Sequence, residues 1–371
     1  MKLNDNRLLA LVRSGLWKTD LPIDLFNQMT ETDWKIIFKQ SSIQGVMGIA
    51  YDGMLPWVST LNISRNLFLT WSANVEAMEK RYYQQCKALE DITEYYHRFS
   101  INTLVLKGIG LSTYYPNPSH REGGDIDIYL FNDFEKGNKK IAELGINVLR
   151  GGSINPKHTI FYYHNIPIEN HQWFLSHDFV FKKNKHIESV ITEKIDISQC
   201  KELFIRNQKI YVPSTMCNAF YLLGHMSSHI ITSGLTLRHL CDWAVFLNKE
   251  YAHIDFKLLE SYFLKSDFLT SIQIITSLTF EKIGLHENKP LPFQKPSAKM
   301  QEIIWNKSIL QPLNQKIHLS NLSKKWLKLF ERIYTCRKLT NNIFVIKYII
   351  FFLYKRFRRM KTTFSKKHKI G

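Results

Sequence analysis

The stretch of residues 104–130, LVLKGIGLSTYYPNPSHREGGDIDIYL, constrains the fold of this chain more than any other. Residues 104–106 form an apolar run that predicts a buried strand, and Gly108 and Gly110 break this run where a helix over residues 111–115 can begin. Backbone N–H groups at such a turn and helix start are suited to binding phosphate. The stretch therefore predicts a strand, a turn and a short helix in succession.

The end of the stretch predicts a second strand that carries two carboxylates. Asp125 and Asp127 alternate with Ile126 and Ile128, so a period of two puts the aspartates on one face and points the isoleucines into the core. Carboxylates this close repel each other unless a cation lies between them, and a hard divalent ion such as Mg²⁺ bound to phosphate oxygens fits the pair. The alternative is that the aspartates line the solvated face of an edge strand.

Lys107 and Arg121 lie in the same strand–turn–helix–strand unit, and this context favours a functional site over a solvated edge strand. The residues KG followed by L, then YP, R and DIDI resemble the nucleotidyltransferase superfamily that includes DNA polymerase beta and the aminoglycoside nucleotidyltransferases. More narrowly, they are similar to a bacterial family of uncharacterised nucleotidyltransferases. The turn after the first strand is Gly-Ser in most of the superfamily, but here it is Lys107-Gly108, as in the narrower family.

The resemblance covers roughly residues 20–250 and implies an α+β fold. We expect a polymerase beta-like domain, a small mixed sheet with helices, over residues 100–212. Helical regions over residues 1–99 and 213–342 would flank it, and in the first of them apolar positions from Val75 to Phe99 recur at spacings of three and four. An apolar-basic tail over residues 343–371 would follow.

A third acidic position lies on a predicted hairpin. Residues 159–163 and 166–174 read as two strands, and Glu169, His171 and Trp173 share a face of the second. The narrower family has a Glu-x-His-Trp-like pattern beside its DxD, and this chain resembles it with one residue inserted before the tryptophan. The resemblance implies that Glu169 is the third metal carboxylate, while His171 either contacts substrate or orients a neighbouring carboxylate.

Asp196 is the other candidate for the third carboxylate. It has a regular alternating context, but it ends the lysine-rich segment 182–196, which we interpret as loop and irregular structure. Only 44 residues separate Asp125 from Glu169, against 71 for Asp196, and sequential strands usually lie close together. We therefore expect Glu169, and not Asp196, beside Asp125 and Asp127.

Two helices are predicted after Pro213. The first carries His225 and His229 at i and i+4, a metal-ligand spacing, but no Glu lies between them and no third ligand is evident, so we interpret them as core or substrate-pocket histidines. The second resembles the family's Gly-x-x-x-Arg-x-x-x-Asp helix at Arg238 and Asp242. These two residues either form a helix salt bridge or line a pocket.

The cysteines indicate a reducing compartment. They are five in number, widely spaced and without a CxxC motif, which predicts reduced core thiols and no zinc site. The residues are Cys86, Cys200, Cys217, Cys241 and Cys336. Charges come too early in the N-terminal sequence for a signal peptide, and no apolar run reaches the length of a membrane span, so we expect a cytoplasmic protein.

Most of the net charge of +18 lies near the C-terminus. Residues 324–371 contain 15 Lys and Arg and one acidic residue, a net charge of +14. The apolar segment 343–354 is too short to span a bilayer, but with the basic cluster after it, it suits peripheral contact with the anionic inner face of a membrane. The alternatives are a packed terminal helix with a basic tail, or RNA binding, for which no specific motif is present.

The resemblance implies a metal-dependent transfer of a nucleoside monophosphate from an NTP to an unknown acceptor. Asp125 and Asp127 would bridge two Mg²⁺ ions and Glu169 would hold the ion that activates the acceptor oxygen. Residues implied to contact the nucleotide are Lys107, Gly108, Arg121, His171, Arg238 and Asp242. The alternatives are a DxD-type glycosyltransferase and a non-enzymatic protein that binds membrane or nucleic acid through its tail.

Deleting residues 343–371 should weaken binding to anionic vesicles, and the difference should shrink as salt is added. The deletion removes nine Lys and Arg, each worth about 1 kcal/mol near a charged surface. Co-sedimentation with vesicles at low and high ionic strength measures the effect. Equal partitioning of the truncated and full-length proteins would show that the segment does not bind the membrane.

Overall fold

A mixed sheet of seven strands carries the predicted acidic positions. The computed structural model describes residues 3–150, 157–175, 184–206 and 208–309. The strands are β1 (Leu104–Val105), β2 (Ile126–Tyr129), β3 (Leu149–Arg150), β4 (His158–Tyr163), β5 (Ile166–His171), β6 (Lys201–Ile205) and β7 (Gln208–Val212). Their order across the sheet is β3-β4-β5-β2-β1-β7-β6. The fold is therefore α+β, as the sequence predicted.

The pairing of β2 sets the position of the site. This strand runs antiparallel to β1 and parallel to β5, in a register that places Asp127 opposite Glu169 and Tyr129 opposite His171. Ile126 and Ile128 are fully buried, as their alternation with the aspartates predicted. The two predicted acidic strands are thus immediate neighbours.

Two hairpins flank this central pair of strands. The β4–β5 hairpin turns at His164 (φ 46°) and Asn165 (φ 62°), and two successive left-handed residues are what a type I′ turn requires. Its second strand ends at His171, before the predicted end at residue 174. The other hairpin, β6–β7, was not predicted, and it joins the sheet through a parallel contact between β7 and β1.

The described residues also contain twelve α-helices. They are α1 (Leu3–Trp17), α2 (Glu31–Ile43), α3 (Met47–Met54), α4 (Arg65–His97), α5 (Lys107–Ser112), α6 (Phe134–Glu143), α7 (Lys185–Lys194), α8 (Thr215–Thr232), α9 (Leu237–Glu250), α10 (Phe256–Lys265), α11 (Leu269–Leu278) and α12 (Ala298–Ile304). Helices therefore precede and follow the strands along the chain, as the sequence predicted.

Helix α4 connects two hydrophobic cores. Its side chains Leu89 and Ile92 pack in a core with the sheet, whereas Trp71 lies in a larger core. That larger core joins side chains from both ends of the described chain, for example Leu11 of α1 and Ile309. The boundaries at residues 99, 212 and 342 stay a sequence prediction.

Three local predictions were wrong. The segment 182–196 was interpreted as a loop, but its described part contains α7, because Ile187, Val190 and Ile191 recur at helical spacing and are buried. The helix predicted over 111–115 begins at Lys107 instead. Finally, the spacing of Asn132 and Glu135 predicts a helix capped by Asn132, but α6 begins after Asp133 without a side-chain cap.

The predictions on thiols and membrane spans can be compared with the described part of the chain. Cys86, Cys200, Cys217 and Cys241 are free cysteines there. Of the helices described, none combines the length and the apolar character needed to cross a membrane. Cys336 and the predicted membrane-binding segment 343–371 lie outside the described residues.

Replacing Gly53 of α3 with alanine should destabilise the fold by about 1–3 kcal/mol, the usual cost of overpacking. A methyl group there would lie 2.0 Å from the backbone oxygen of Leu11 in α1, so one helix must move. Urea denaturation measures the change. Gly124→Ala is the matched control, because no heavy atom lies within 4 Å of the added carbon. A Gly53→Ala variant as stable as this control would contradict the close helix contact.

Candidate active site

The turn between β1 and α5 places Lys107 beside the aspartates. Lys107 (φ 23°) and Gly108 (φ 47°) both have left-handed backbone angles, which explains why glycine occupies the second position. The hydrogen bond from Leu106 N–H to Asp127 O, 3.0 Å long, fixes the start of the turn to β2. As a result, Lys107 Nζ lies 3.3 Å from Asp127 Oδ2.

Asp127 is the central carboxylate of the site and is only 1% exposed. Its Oδ1 accepts a hydrogen bond from His171 Nε2 at 2.8 Å. Its Oδ2 is buried and has the ion pair with Lys107 but no hydrogen-bond partner. Burial alone would raise the pKa of Asp127, but Lys107 and His171 outweigh it and hold the pKa well below its usual range.

Asp125 and Glu169 complete a group of three carboxylates. One oxygen from each of Asp125, Asp127 and Glu169 lies within 4.8 Å of the other two. Burial, and then the charge of Asp127, raise the pKa of Asp125, as expected for a carboxylate that faces like charges. The three side chains offer oxygen ligands to one point in space, which is the donor set of a hard divalent cation.

Lys107 partly balances this negative charge. Burial lowers the pKa of Lys107, but Asp127, Asp125 and Glu169 outweigh it, so the net shift is upward and the ammonium keeps its proton. The buried Asp127 Oδ2 without a hydrogen bond is an observation that a bound cation would explain. The residues present therefore fit a metal ion.

His171 orients Asp127. The ring is fully buried on β5, with Nε2 against Asp127 Oδ1 and Nδ1 3.2 Å from Trp173 O. Nε2 also lies 3.4 Å from Glu169 Oε2. Both ring nitrogens thus have partners within the protein, an arrangement typical of a histidine that orients a carboxylate.

Lys157 and His158 were missed by the sequence analysis. Burial, and then the neighbouring Lys107, lower the pKa of Lys157. The charges of Asp127, Glu169 and Asp125 act in the opposite direction and raise this pKa, but the net shift is downward. His158 Nδ1 lies 3.4 Å from Glu169 Oε2, and burial lowers the pKa of His158 to about 4 despite that carboxylate. His158 pairs with His171 across the hairpin, so hairpin register was the signal that could have found it.

Asp196 lies apart from this group. Its exposed carboxylate accepts hydrogen bonds of 2.7 Å from the backbone N–H and the hydroxyl of Ser198. Through these bonds Asp196 caps a short 3-10 helix. The structure therefore brings Glu169, and not Asp196, to the two aspartates.

Arg121 and Asp242 form a buried ion pair between the sheet region and α9. Arg121 donates from Nε to Asp242 Oδ1 at 2.9 Å and from Nη2 to Oδ2 at 2.8 Å, and Tyr115 O–H donates to Oδ1 at 2.6 Å. The predicted alternative of a helix salt bridge between Arg238 and Asp242 is wrong, because the carboxylate of Asp242 forms its ion pair with Arg121. Arg238 donates instead to the backbone oxygen of Glu122, at 2.9 Å.

A pocket joins the two predicted halves of the site. Its lining includes Lys107, Asp125 and Asp127 from the sheet region and Arg238 and Asp242 from α9. Gly108 and Arg121 also contribute to its wall. Every residue implied to contact the nucleotide except His171 therefore faces one pocket.

These features define a nucleotidyltransferase-like α+β protein: a mixed sheet whose adjacent strands present converging carboxylates beside a Lys-Gly turn. The chain belongs to the uncharacterised nucleotidyltransferase family, whose model matches residues 30–282. It is also similar to the crystal structure of an antigenic nucleotidyltransferase-like protein from Paracoccidioides brasiliensis, at 10% identity and a TM-score of 0.30. That similarity covers 50% of this chain and 90% of the other. A comparison with curated proteins found no match.

Changing Asp242 to Asn should destabilise the protein by about 3–5 kcal/mol, the scale of breaking a buried ion pair. The guanidinium of Arg121 would stay buried without a carboxylate, since the two side chains are only 5% and 7% exposed. Urea denaturation measures the loss, and Glu94→Gln, which breaks an exposed pair with Arg98, is the control. Equal stability of the two variants would contradict a structural role for the pair.

Proposed function

We propose that this protein transfers a nucleoside monophosphate from an NTP to an acceptor hydroxyl or phosphate. The observation that carries the proposal is the convergence of Asp125, Asp127 and Glu169, with oxygens within 4.8 Å of one another on neighbouring parallel strands. A glycosyltransferase DxD pair does not need a third carboxylate on an adjacent strand. Nucleotidyl transfer by a two-metal mechanism uses one.

The three carboxylates would hold Mg²⁺, because all their donor atoms are oxygens and the buried Asp127 Oδ2 lacks a hydrogen bond. Two bound Mg²⁺ ions would supply neutralisation of the triphosphate and a lowered pKa at the acceptor oxygen. His171 would keep Asp127 and Glu169 in place through Nε2, as its contacts of 2.8 and 3.4 Å indicate.

Cationic side chains in the pocket would bind the triphosphate. Lys107 keeps its proton, and its long side chain allows Nζ to exchange Asp127 for a phosphate oxygen. Arg238 lines the same pocket. Arg121 would act differently, because its guanidinium already donates two hydrogen bonds to Asp242. It would therefore hold the pocket lining in position.

Labelled ATP tests the reaction class directly. The protein is incubated with Mg²⁺ and ATP that carries the label at either the α- or the γ-phosphate, with cell extract as the source of acceptor. We expect label to move to an acceptor from the α position only. Transfer from the γ position alone would indicate a kinase, and transfer from neither would leave a binding protein; both results contradict the proposal.

Asp125→Asn, Asp127→Asn and Glu169→Gln should each reduce α-label transfer by about 100-fold or more, the scale of losing one electrostatic contact in a transition state. Each change removes a ligand charge but keeps the shape of the side chain. Asp196→Asn is the matched control, because Asp196 is exposed and only caps a short helix. Near wild-type turnover of any of the three variants at saturating Mg²⁺ would contradict the assignment.

A further inference from the structure

Two successive residues at the start of α9, Arg238 and His239, line the pocket that also contains Asp125 and Asp127. Each of the two has a hydrogen-bond donor that no other described residue uses. Polar groups away from bulk water almost always have a hydrogen-bond partner in folded proteins, so these donors indicate a ligand that accepts hydrogen bonds.

The proton of the His239 ring lies on Nε2. The backbone N–H of Thr236 donates to His239 Nδ1 at 3.1 Å, so Nδ1 uses its lone pair and a neutral ring carries its proton on the other nitrogen. Burial lowers the pKa of His239 well below its usual range, and the ring therefore stays neutral. Since no described residue bonds to Nε2, His239 offers the pocket an N–H donor and no lone pair.

Arg238 supplies a second donor. Its Nη1 donates to the backbone oxygen of Glu122 at 2.9 Å, which holds the guanidinium in place. Its Nε is buried and has no hydrogen-bond partner among the described residues. A buried N–H without an acceptor costs stability, and an oxygen atom of a ligand would satisfy it.

His225 holds Lys107 in the same pocket as a third donor. Lys107 Nζ lies 3.4 Å from His225 Nε2 and 3.3 Å from Asp127 Oδ2. An ammonium has three donors and no acceptor, so His225 Nε2 accepts through its lone pair and one N–H of Lys107 remains for a ligand. Burial, and then the charge of Lys107, hold the pKa of His225 well below its usual range, so the ring keeps this lone pair.

The carboxylates of the pocket determine when an anion binds there. The charge of Asp242 is already balanced by its ion pair with Arg121. Asp125 and Asp127 repel an anion unless a divalent cation offsets their charge, and their oxygens fit such a cation. We therefore expect an anion to bind this pocket together with a metal ion, as the phosphate groups of a substrate do.

We propose that His239 Nε2, Arg238 Nε and Lys107 Nζ form a binding subsite for a phosphate group. A phosphate carries negative charge and several acceptor oxygens, which match three donors of which two are cationic. The phosphate belongs either to the NTP or to a phosphorylated acceptor. The choice between these two sources rests on the proposed function, whereas the subsite itself does not.

Equilibrium dialysis with radiolabelled inorganic phosphate tests the subsite. The measurement uses the full-length Asp125→Asn, Asp127→Asn double variant with a chelator present, so that neither a metal ion nor the charge of these two carboxylates contributes. We expect saturable binding of one phosphate per chain. Absence of saturable binding would overturn the proposal.

Single substitutions in the same double variant identify the donors. His239→Asn keeps an oxygen that can accept from the Thr236 N–H but removes Nε2, and Arg238→Met removes the guanidinium but keeps an unbranched side chain. Each should weaken phosphate binding about 10- to 100-fold, the scale of one hydrogen bond to a charged group. Unchanged phosphate affinity in both variants would overturn the proposal.

Two exposed positions provide matched controls for these substitutions. His186→Asn on α7 and Arg98→Met after α4 make the same chemical changes outside the pocket and should leave phosphate affinity unchanged. Urea denaturation of every variant shows that weaker binding does not come from unfolding. Equal losses of affinity in the test and control variants would mean that phosphate binds only through the general charge of the protein, which would also overturn the proposal.

His239→Asn in the otherwise wild-type protein identifies the source of the phosphate. Both proteins are titrated, with Mg²⁺ present, with an ATP analogue whose α–β bridge cannot be cleaved. Weaker binding by the variant assigns the subsite to the phosphates of the NTP, and equal binding assigns it to a phosphorylated acceptor. An analogue that does not bind the wild-type protein would contradict the proposed function, while the dialysis of inorganic phosphate still decides the subsite.

Discussion

Mutual repulsion among three converging carboxylates, of which Asp127 is buried, is the constraint on which the rest of the site depends. Asp125, Asp127 and Glu169 converge because β2 and β5 are parallel neighbours in a fixed register. The surrounding chain offsets their charge with Lys107 and with the ring of His171. Charge that the protein balances only in part, at the edge of a pocket, is the situation in which a divalent cation binds best.

The helical regions hold the other wall of this pocket. Arg121 and Asp242 tie the segment before β2 to α9 through two hydrogen bonds, both buried. Gln44 extends the connection, since its side chain accepts from Leu237 N–H at 2.7 Å and donates to Ile309 O at 2.9 Å. The sheet region thus supplies the carboxylates, while helices from distant parts of the chain hold cationic side chains that line the same pocket.

Local periodicity explains which features could be predicted. The alternation of aspartates with isoleucines predicted β2, and two apolar runs separated by two residues predicted the β4–β5 hairpin. Both patterns could be recognised because each lies within a short stretch of the chain. The partner of Asp242 could not be found in this way, since Arg121 reaches it only through the packing of separate elements. Helix α7 was missed because its lysines obscured the spacing of three buried residues, Ile187, Val190 and Ile191.

Anomalous diffraction from crystals grown with Mn²⁺ and a non-hydrolysable NTP tests the central claim most directly, because Mn²⁺ takes the oxygen ligands that Mg²⁺ prefers. The account predicts Mn²⁺ density bounded by the carboxylates of Asp125, Asp127 and Glu169, with the triphosphate in the adjoining pocket. Mn²⁺ bound only elsewhere, with Glu169 still against His158 and His171, would contradict it.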